Sequence, residues 1–367
     1  MNKSNEKKIL WYNLAFMAFS TVWGFGNVIN GFSEYGGLKA IVSWIILFAL
    51  YFIPYALMVG ELGSTFKNEG GGVSSWIHET IGPGMAYMAG WTYWVVHMPY
   101  ISQKPNSSVI AASWAFFRDS RASGMNTRIM AVICLVLFLF AVWLASRGLG
   151  VLKKLTALAG STMFIMSLLF ILMMLAAPAI TGANVLDIEW SVDTFMPTFD
   201  GKFFLNLSIL VFAVGGCEKI SPYVNKMKDP SKDFAKGMIA LATMVAVCAV
   251  LGTIALGMMF DSNNIPEDLM TNGAYYAFQT LGEYYHVGDL FVVIYAAVNL
   301  ISQFSVMVLS IDAPLRMLLD SADERYIPKS LFKQNKYGTY TNGHTLVTVI
   351  VSILIIVHVL GSENVDA

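Results

Sequence analysis

Two stretches of this chain place helix-breaking residues inside apolar runs. The first reads Ser20-Thr21-Val22-Trp23-Gly24-Phe25-Gly26-Asn27-Val28-Ile29-Asn30-Gly31, and the second Phe212-Ala213-Val214-Gly215-Gly216-Cys217-Glu218-Lys219-Ile220-Ser221-Pro222. Each glycine weakens a helix by around 1 kcal/mol relative to alanine. A helix interrupted at such a point leaves free N–H groups at the start of one half and free C=O groups at the end of the other. The N–H end suits a carboxylate, and the C=O end suits an ammonium group. A zwitterionic small molecule fits that pair of ends. Trp23, Gly24, Phe25, Gly26, Asn27, Phe212, Ala213, Gly215 and Gly216 are therefore the candidate binding positions. Glycines also let helices pack closely, and the first stretch alone leaves both readings open. The second, with a glycine pair, an ionisable pair and a proline in succession, favours the break.

Glu218 is the most informative single residue. A carboxylate in hydrocarbon costs about 2.5–3.5 kcal/mol on insertion scales, so it faces a cavity or a partner. Gating, proton coupling, substrate contact and a structural bond to unwound backbone are the roles open to it. Consecutive helical residues do not share a face, so Lys219 is expected to snorkel inward rather than pair with Glu218. Lys104 is a second embedded ion, in the polar island Tyr100-Ile101-Ser102-Gln103-Lys104-Pro105-Asn106-Ser107-Ser108, where Pro105 allows a kink. It could pair with Glu218, replace a coupling cation, receive an anionic group of a substrate, or snorkel outward. Tyr100, Gln103, Ser302, Gln303 and Ser305 are possible cavity-lining groups. His97 reads as a polar core group, and Glu61 and Asp312 as charges at inner span ends. The five histidines form no metal-ligand pattern, Gly70-Gly71-Gly72 lacks the Lys-Ser/Thr of a phosphate loop, and there is no GxSxG. No enzymatic constellation, metal or cofactor is called for.

The elements that carry these residues follow from composition. Of 367 residues 56% are apolar and 13% charged, about half the charge of a soluble domain. Three cysteines are too few for a disulfide scaffold. They are Cys134, Cys217 and Cys248, each inside an apolar run, and read as small packing residues. The net charge of −1 gives no basic field for nucleic acid. A polytopic membrane protein embedded in the lipid bilayer remains, all-α because the apolar runs are long and continuous. Nine runs qualify, at about 12–33, 40–64, 84–113, 128–146, 153–178, 203–225, 235–260, 287–316 and 343–361. A short interfacial helix is expected between the second and third, and another between the seventh and eighth. With the N-terminus inside, 16 Lys and Arg fall on inner segments, including Lys3, Lys7 and Lys8, and 5 on outer ones. That bias predicts a cytoplasmic N-terminus in the cell membrane, with the C-terminal tail outside.

The spans that are glycine-broken, first and sixth, lie at corresponding positions of two halves, a pointer to a transporter's binding site. Here the chain resembles the amino acid permeases of the amino acid–polyamine–organocation (APC) superfamily, and within it the glutamate/GABA antiporter-like branch. The resemblance rests on Gly24-Phe25-Gly26; on Gly60-Glu61-Leu62-Gly63 followed by Glu69-Gly70-Gly71-Gly72-Val73-Ser74-Ser75-Trp76 and Gly82; and on Phe212-Ala213-Val214-Gly215-Gly216-Cys217-Glu218 followed by Lys226-Met227-Lys228-Asp229-Pro230 and Phe234-Ala235-Lys236-Gly237. It implies one membrane domain of LeuT type over 1–367, with a first repeat at about 12–178 and an incomplete second at about 203–361. It implies alternating access, with spans 1, 2, 6 and 7 rocking against a scaffold, and secondary transport of an amino acid by antiport or proton coupling. Gly24, Phe25 and Gly26 would hold the α-carboxylate, and backbone near Trp23, Phe212 and Ala213 the amino group. Glu218 would be the gating and protonation glutamate, with Lys104 beside it. Phe25 departs from the small middle residue of the family motif. Nine spans against about twelve lead to the expectation of a C-terminally truncated chain. A transporter-like sensor or non-transporting partner subunit is the alternative function.

Overall fold

The computed structural model describes residues 9–70, 72–262, 264–266, 268–320 and 325–361. Lys3, Lys7, Lys8, Gly71 and the tail 362–367, which figure in the reading above, lie outside the described residues. The described chain is helical throughout, with two isolated β-bridges, Ile9 with Met227 and Gln334 with Tyr340.

Span 1 is α1 (Trp11–Val22) and α2 (Gly26–Glu34), separated by three non-helical residues. Span 2 is α3 (Ala40–Leu47), a π-helical turn at Phe48–Phe52, and α4 (Ile53–Thr65). Because α4 runs on to Thr65, Glu61 sits exposed within a helix rather than at its end. The expected interfacial helix is α5 (Val73–Thr80). Span 3 is α6 (Pro83–Phe117), whose 35 residues run unbroken through Pro99 and Pro105. Spans 4 and 5 are α7 (Thr127–Ala145) and α8 (Leu149–Thr181), the former capped by the Asn126 side chain, which accepts from the Arg128 N–H. After the four-residue α9 (Val192–Phe195), span 6 opens with α10 (Gly201–Val214), where Asp200 accepts from the Phe203 N–H. It resumes after Gly215 and Gly216 as a 3-10 helix, Cys217–Lys226. Span 7 is α11 (Pro230–Gly257), and the outer loop holds α12 (Leu269–Tyr284). Spans 8 and 9 are α13 (Leu290–Leu319) and α14 (Thr341–Gly361).

Seven of the nine spans are long and apolar enough by length and composition to cross a membrane. The other two carry the interruptions already noted: span 1 is cut into helices of 12 and 9 residues, and α6 bears the polar island around Lys104. The three cysteines are buried and unpaired, as expected.

Apolar packing resolves into two cores. One gathers α1, α2, α3, α4, α8, α10, α11 and α12, with parts of α6 and α13, around Phe19, Phe25, Phe170, Phe234 and Phe278. The other gathers α6, α7, α13 and α14 around Ile101, Phe138, Met307 and Val351. Close backbone approach locks the first. A Cβ on Gly160 of α8 would run into the Phe16 carbonyl of α1, and one on Gly63 of α4 into the Phe234 ring of α11. Forcing atoms into such contacts costs about 1–3 kcal/mol. Gly160→Ala is expected to lower the thermal unfolding midpoint in detergent, whereas Gly150→Ala, in the same helix with nothing within 4 Å of the new atom, leaves it unchanged or slightly higher. Equal midpoints for the two variants would show that α1 and α8 are not locked there.

Candidate functional site

The site is built where the two broken spans meet. In span 1 the N–H groups of Gly24, Phe25 and Gly26 have no backbone acceptor among the described residues. A Cβ on Gly24 or Gly26 would meet nothing within 4 Å, so the chain at these two glycines borders open space. The Phe25 side chain turns away into the first core, its ring 4.7 Å from Phe170, 5.2 Å from Phe278 and 5.9 Å from Tyr295. The large middle residue of the motif thus anchors the break. Trp23 is buried, its ring 6.0 Å from that of Trp44 and its Nε1 unpartnered.

In span 6 the break depends on Gly216, whose φ of 104° lies in the region that side chains disfavour. Gly215 donates back to the Phe212 carbonyl at 3.3 Å. Asn27 clasps the two breaks together: its Nδ2 donates to Val22 O at 3.2 Å and to Ala213 O at 2.9 Å. Thr21 Oγ1 donates to Gly216 O at 3.3 Å. Phe212 is 72% exposed, with its ring 6.1 Å from Tyr100.

The 3-10 helix after the break aims its polar side chains into the seam between the two cores. Tyr55 OH donates to Glu218 Oε2 at 2.9 Å and Tyr93 OH to Oε1 at 2.6 Å. Lys219 does not snorkel. It is 3% exposed, donates to Ser310 Oγ at 3.2 Å, and lies 4.8 Å from the Tyr100 ring centroid. The reason is helical type: with three residues per turn, eight consecutive residues, Cys217–Val224, are buried, and no face leads Lys219 to the interface. Lys104 makes no ion pair with Glu218; its Nζ stands 4.4 Å from the centroid of the same Tyr100 ring. One helical turn from Tyr100, His97 Nδ1 donates to Tyr93 O, 2.7 Å away.

The remaining expected positions divide. Ser305 is fully buried with its Oγ 3.5 Å from Ser20 Oγ of α1, so it does reach span 1. Gln303 Nε2 donates to Asn299, which donates to Tyr275. Ser302 is buried, and Gln103 is exposed outside the cluster. Toward the inner end, Asp312 is no peripheral charge: it is 1% exposed, and its Oδ2 accepts from Tyr223 OH and Arg316 Nε, each at 2.7 Å. Its Oδ1 stands 3.5 Å from His344 Nε2. Tyr55, Tyr93, Tyr223 and His344 were not singled out from sequence. Only the i, i+4 spacing of Asp312 and Arg316 offered a signal.

An all-helical membrane protein whose first and sixth spans are broken and joined at their breaks has a LeuT-like fold. It superposes on MhsT in complex with L-phenylalanine with a TM-score of 0.63 at 14% identity, over 95% of this chain and 79% of that one. The chain belongs to the amino acid permease family, which it matches over residues 9–367. It is 49% identical over 360 residues to the aspartate/glutamate permease AcaP of Lactococcus lactis subsp. cremoris, covering 97% of this chain and 73% of that protein. It is 23% identical over 341 residues to the glutamate/gamma-aminobutyrate antiporter of Lactococcus lactis subsp. lactis, covering 91% of this chain and 65% of that protein. The APC superfamily resemblance read from the motifs is thus borne out, and the chain is a membrane permease rather than an enzyme.

A buried carbonyl left without a donor costs about 1–3 kcal/mol. Asn27→Ala strips the donor from both Val22 O and Ala213 O. Its unfolding midpoint in detergent is expected to fall accordingly; an unchanged midpoint would show that the clasp is not a structural requirement.

Proposed function

We propose that this chain carries acidic amino acids, aspartate and glutamate, across the cell membrane by alternating access. The observation that carries the reading is the pairing of the two breaks, where the N–H groups of Gly24, Phe25 and Gly26 have no backbone acceptor among the described residues and the two glycines border open space. Those groups receive the α-carboxylate. The carbonyl ends of α1 and α10, near Trp23, Phe212 and Ala213, receive the α-amino group. Ala213 O already accepts from Asn27 and has a second lone pair free for this. The identity of 49% to a protein named as an aspartate/glutamate permease supports the substrate class.

Alternating access moves spans 1, 2, 6 and 7 against the rest. These four share the first core with span 5, α12 and parts of spans 3 and 8, so rocking exchanges apolar contacts within that core as well as polar ones along the seam. Glu218 is the gate, because its two phenol donors come from opposite sides, Tyr55 from span 2 and Tyr93 from span 3. Protonation would weaken both bonds and free the seam, by antiport or by proton-coupled uptake. The two five-span repeats, about 12–178 and 203–361, would be inverted relative to one another, with the N-terminus cytoplasmic.

Counterflow in proteoliposomes tests the substrate. Vesicles loaded with unlabelled aspartate are expected to accumulate labelled aspartate and glutamate well above unloaded vesicles; equal uptake would overturn the reading. In the same assay Glu218→Gln is expected to abolish uptake or flatten its pH dependence. Full activity with an unchanged pH profile would remove Glu218 from the mechanism. The buried native cysteines leave the surface clear for an orientation test. A membrane-impermeant thiol reagent should label Ser123→Cys in intact cells and Ser330→Cys only after permeabilisation, and the reverse pattern would invert the orientation.

A further inference from the structure

Two ammonium groups converge on one aromatic ring beside the helix breaks. Tyr100 is the midpoint of α6 (Pro83–Phe117). Lys104 Nζ lies 4.4 Å and Lys219 Nζ 4.8 Å from its centroid, so the two nitrogens are within about 9 Å of one another. Among the described residues neither has a carboxylate within 4 Å. Lys219 has three N–H donors, one of which reaches Ser310 Oγ. A ring face and one hydroxyl are poor compensation for a cation that is 3% exposed. Breaking or omitting the partner of a buried ion costs several kcal/mol, and intramembrane ions face a pathway or a partner.

The formal charges of the seam point the same way. Around the Tyr100 ring Glu218 contributes −1 and Lys219 and Lys104 each +1, while Asp312 and Asp320 both act on Arg316 farther in. The surroundings of the ring are therefore one positive charge in excess. A neutral zwitterion would leave that excess standing. An amino acid with a second carboxylate carries one net negative charge and cancels it.

We propose that Lys104 and Lys219 read the side-chain carboxylate of the substrate, one from the scaffold side and one from the broken span, with Tyr100 holding both ammonium groups toward the site. The inference rests on the substrate reading above and deepens it, naming the residues that separate acidic amino acids from their amides. The α-carboxylate goes to the span 1 break and the second carboxylate to the lysine pair. Phe212, exposed and edge-on to Tyr100, stands at the same ring.

The test uses the purified full chain in lipid nanodiscs, with labelled aspartate displaced by aspartate, glutamate, asparagine or glutamine. The wild-type protein is expected to prefer each acid over its amide by tenfold or more. Lys104→Met and Lys219→Met are each expected to lower aspartate affinity at least tenfold. Asparagine affinity, measured directly with labelled asparagine, should change less than threefold, so the acid-to-amide ratio collapses. Lys219→Arg, which keeps the charge, should hold the ratio within threefold of wild type. Variants that bind aspartate with an unchanged acid-to-amide ratio would overturn the proposal and leave the substrate reading intact. A wild-type protein that binds none of the four would instead overturn the substrate reading itself. Methionine is close to isosteric with the lysine stem. Should Lys219→Met fail to give a cooperative unfolding transition, Lys104→Met, at a half-buried position, decides the matter by the same ratio.

Discussion

Asn27 spends its side-chain amide on two backbone carbonyls, one at the end of the preceding half-helix α1 and one across the centre at Ala213. In hydrocarbon there is no water to satisfy a broken helix, so unwound backbone persists only where protein supplies the partners. The clasp supplies them with one side chain, and Thr21 adds a third bond at Gly216 O. It leaves the opposite groups, the N–H donors of Gly24, Phe25 and Gly26, unused. The same contact thus holds the breaks in register and determines which polarity of backbone faces the open side.

The second organising feature is the seam between two apolar cores. Nearly every polar contact made by the 3-10 half of span 6 crosses it or lies along it: Glu218 to Tyr93, Lys219 to Ser310 and Tyr100, Tyr223 to Asp312. Each hydrogen bond to a charged group is worth about 1.5–3 kcal/mol net. Apolar packing also crosses between spans at the outer end, where the Phe25 ring of span 1 meets Phe170 of span 5 and Tyr295 of span 8.

Much of this was legible in the sequence because broken helices in a membrane leave compositional traces. The glycine clusters at 24–26 and 215–216 and the charge at Glu218 located the centre directly. Nine apolar runs gave the spans, and helices occupy each of them. What stayed hidden were partners supplied by ordinary residues. Tyr55 and Tyr93 are two of 16 tyrosines, and nothing local distinguishes a phenol that meets a carboxylate from one that packs. Lys219 was misread because α-helical geometry was assumed where the chain is 3-10, and a lysine in a wholly buried run has no route outward. Asp312 was placed at a span end by counting residues, yet α13 continues past it to Leu319, and Arg316 together with Tyr223 draws it into the interior. In each case the missing information was long-range contact.

The position of the charges along the chain also bears on how the protein is made. Span 6 arrives at the membrane carrying a carboxylate and an ammonium group, each costing about 2.5–3.5 kcal/mol to insert alone. Synthesis runs from the N-terminus, so spans 2 and 3 are already in place. Tyr55 and Tyr93 can solvate Glu218 as soon as it arrives, and Asn27 can meet Ala213 at the same moment. The Lys219 acceptor, Ser310, belongs to span 8 and does not yet exist. The nascent centre therefore passes through a stage in which its carboxylate is housed while its ammonium group has only the Tyr100 ring. The span that bears the chemistry is the one whose retention in the bilayer is owed to helices made before it and completed by one made after.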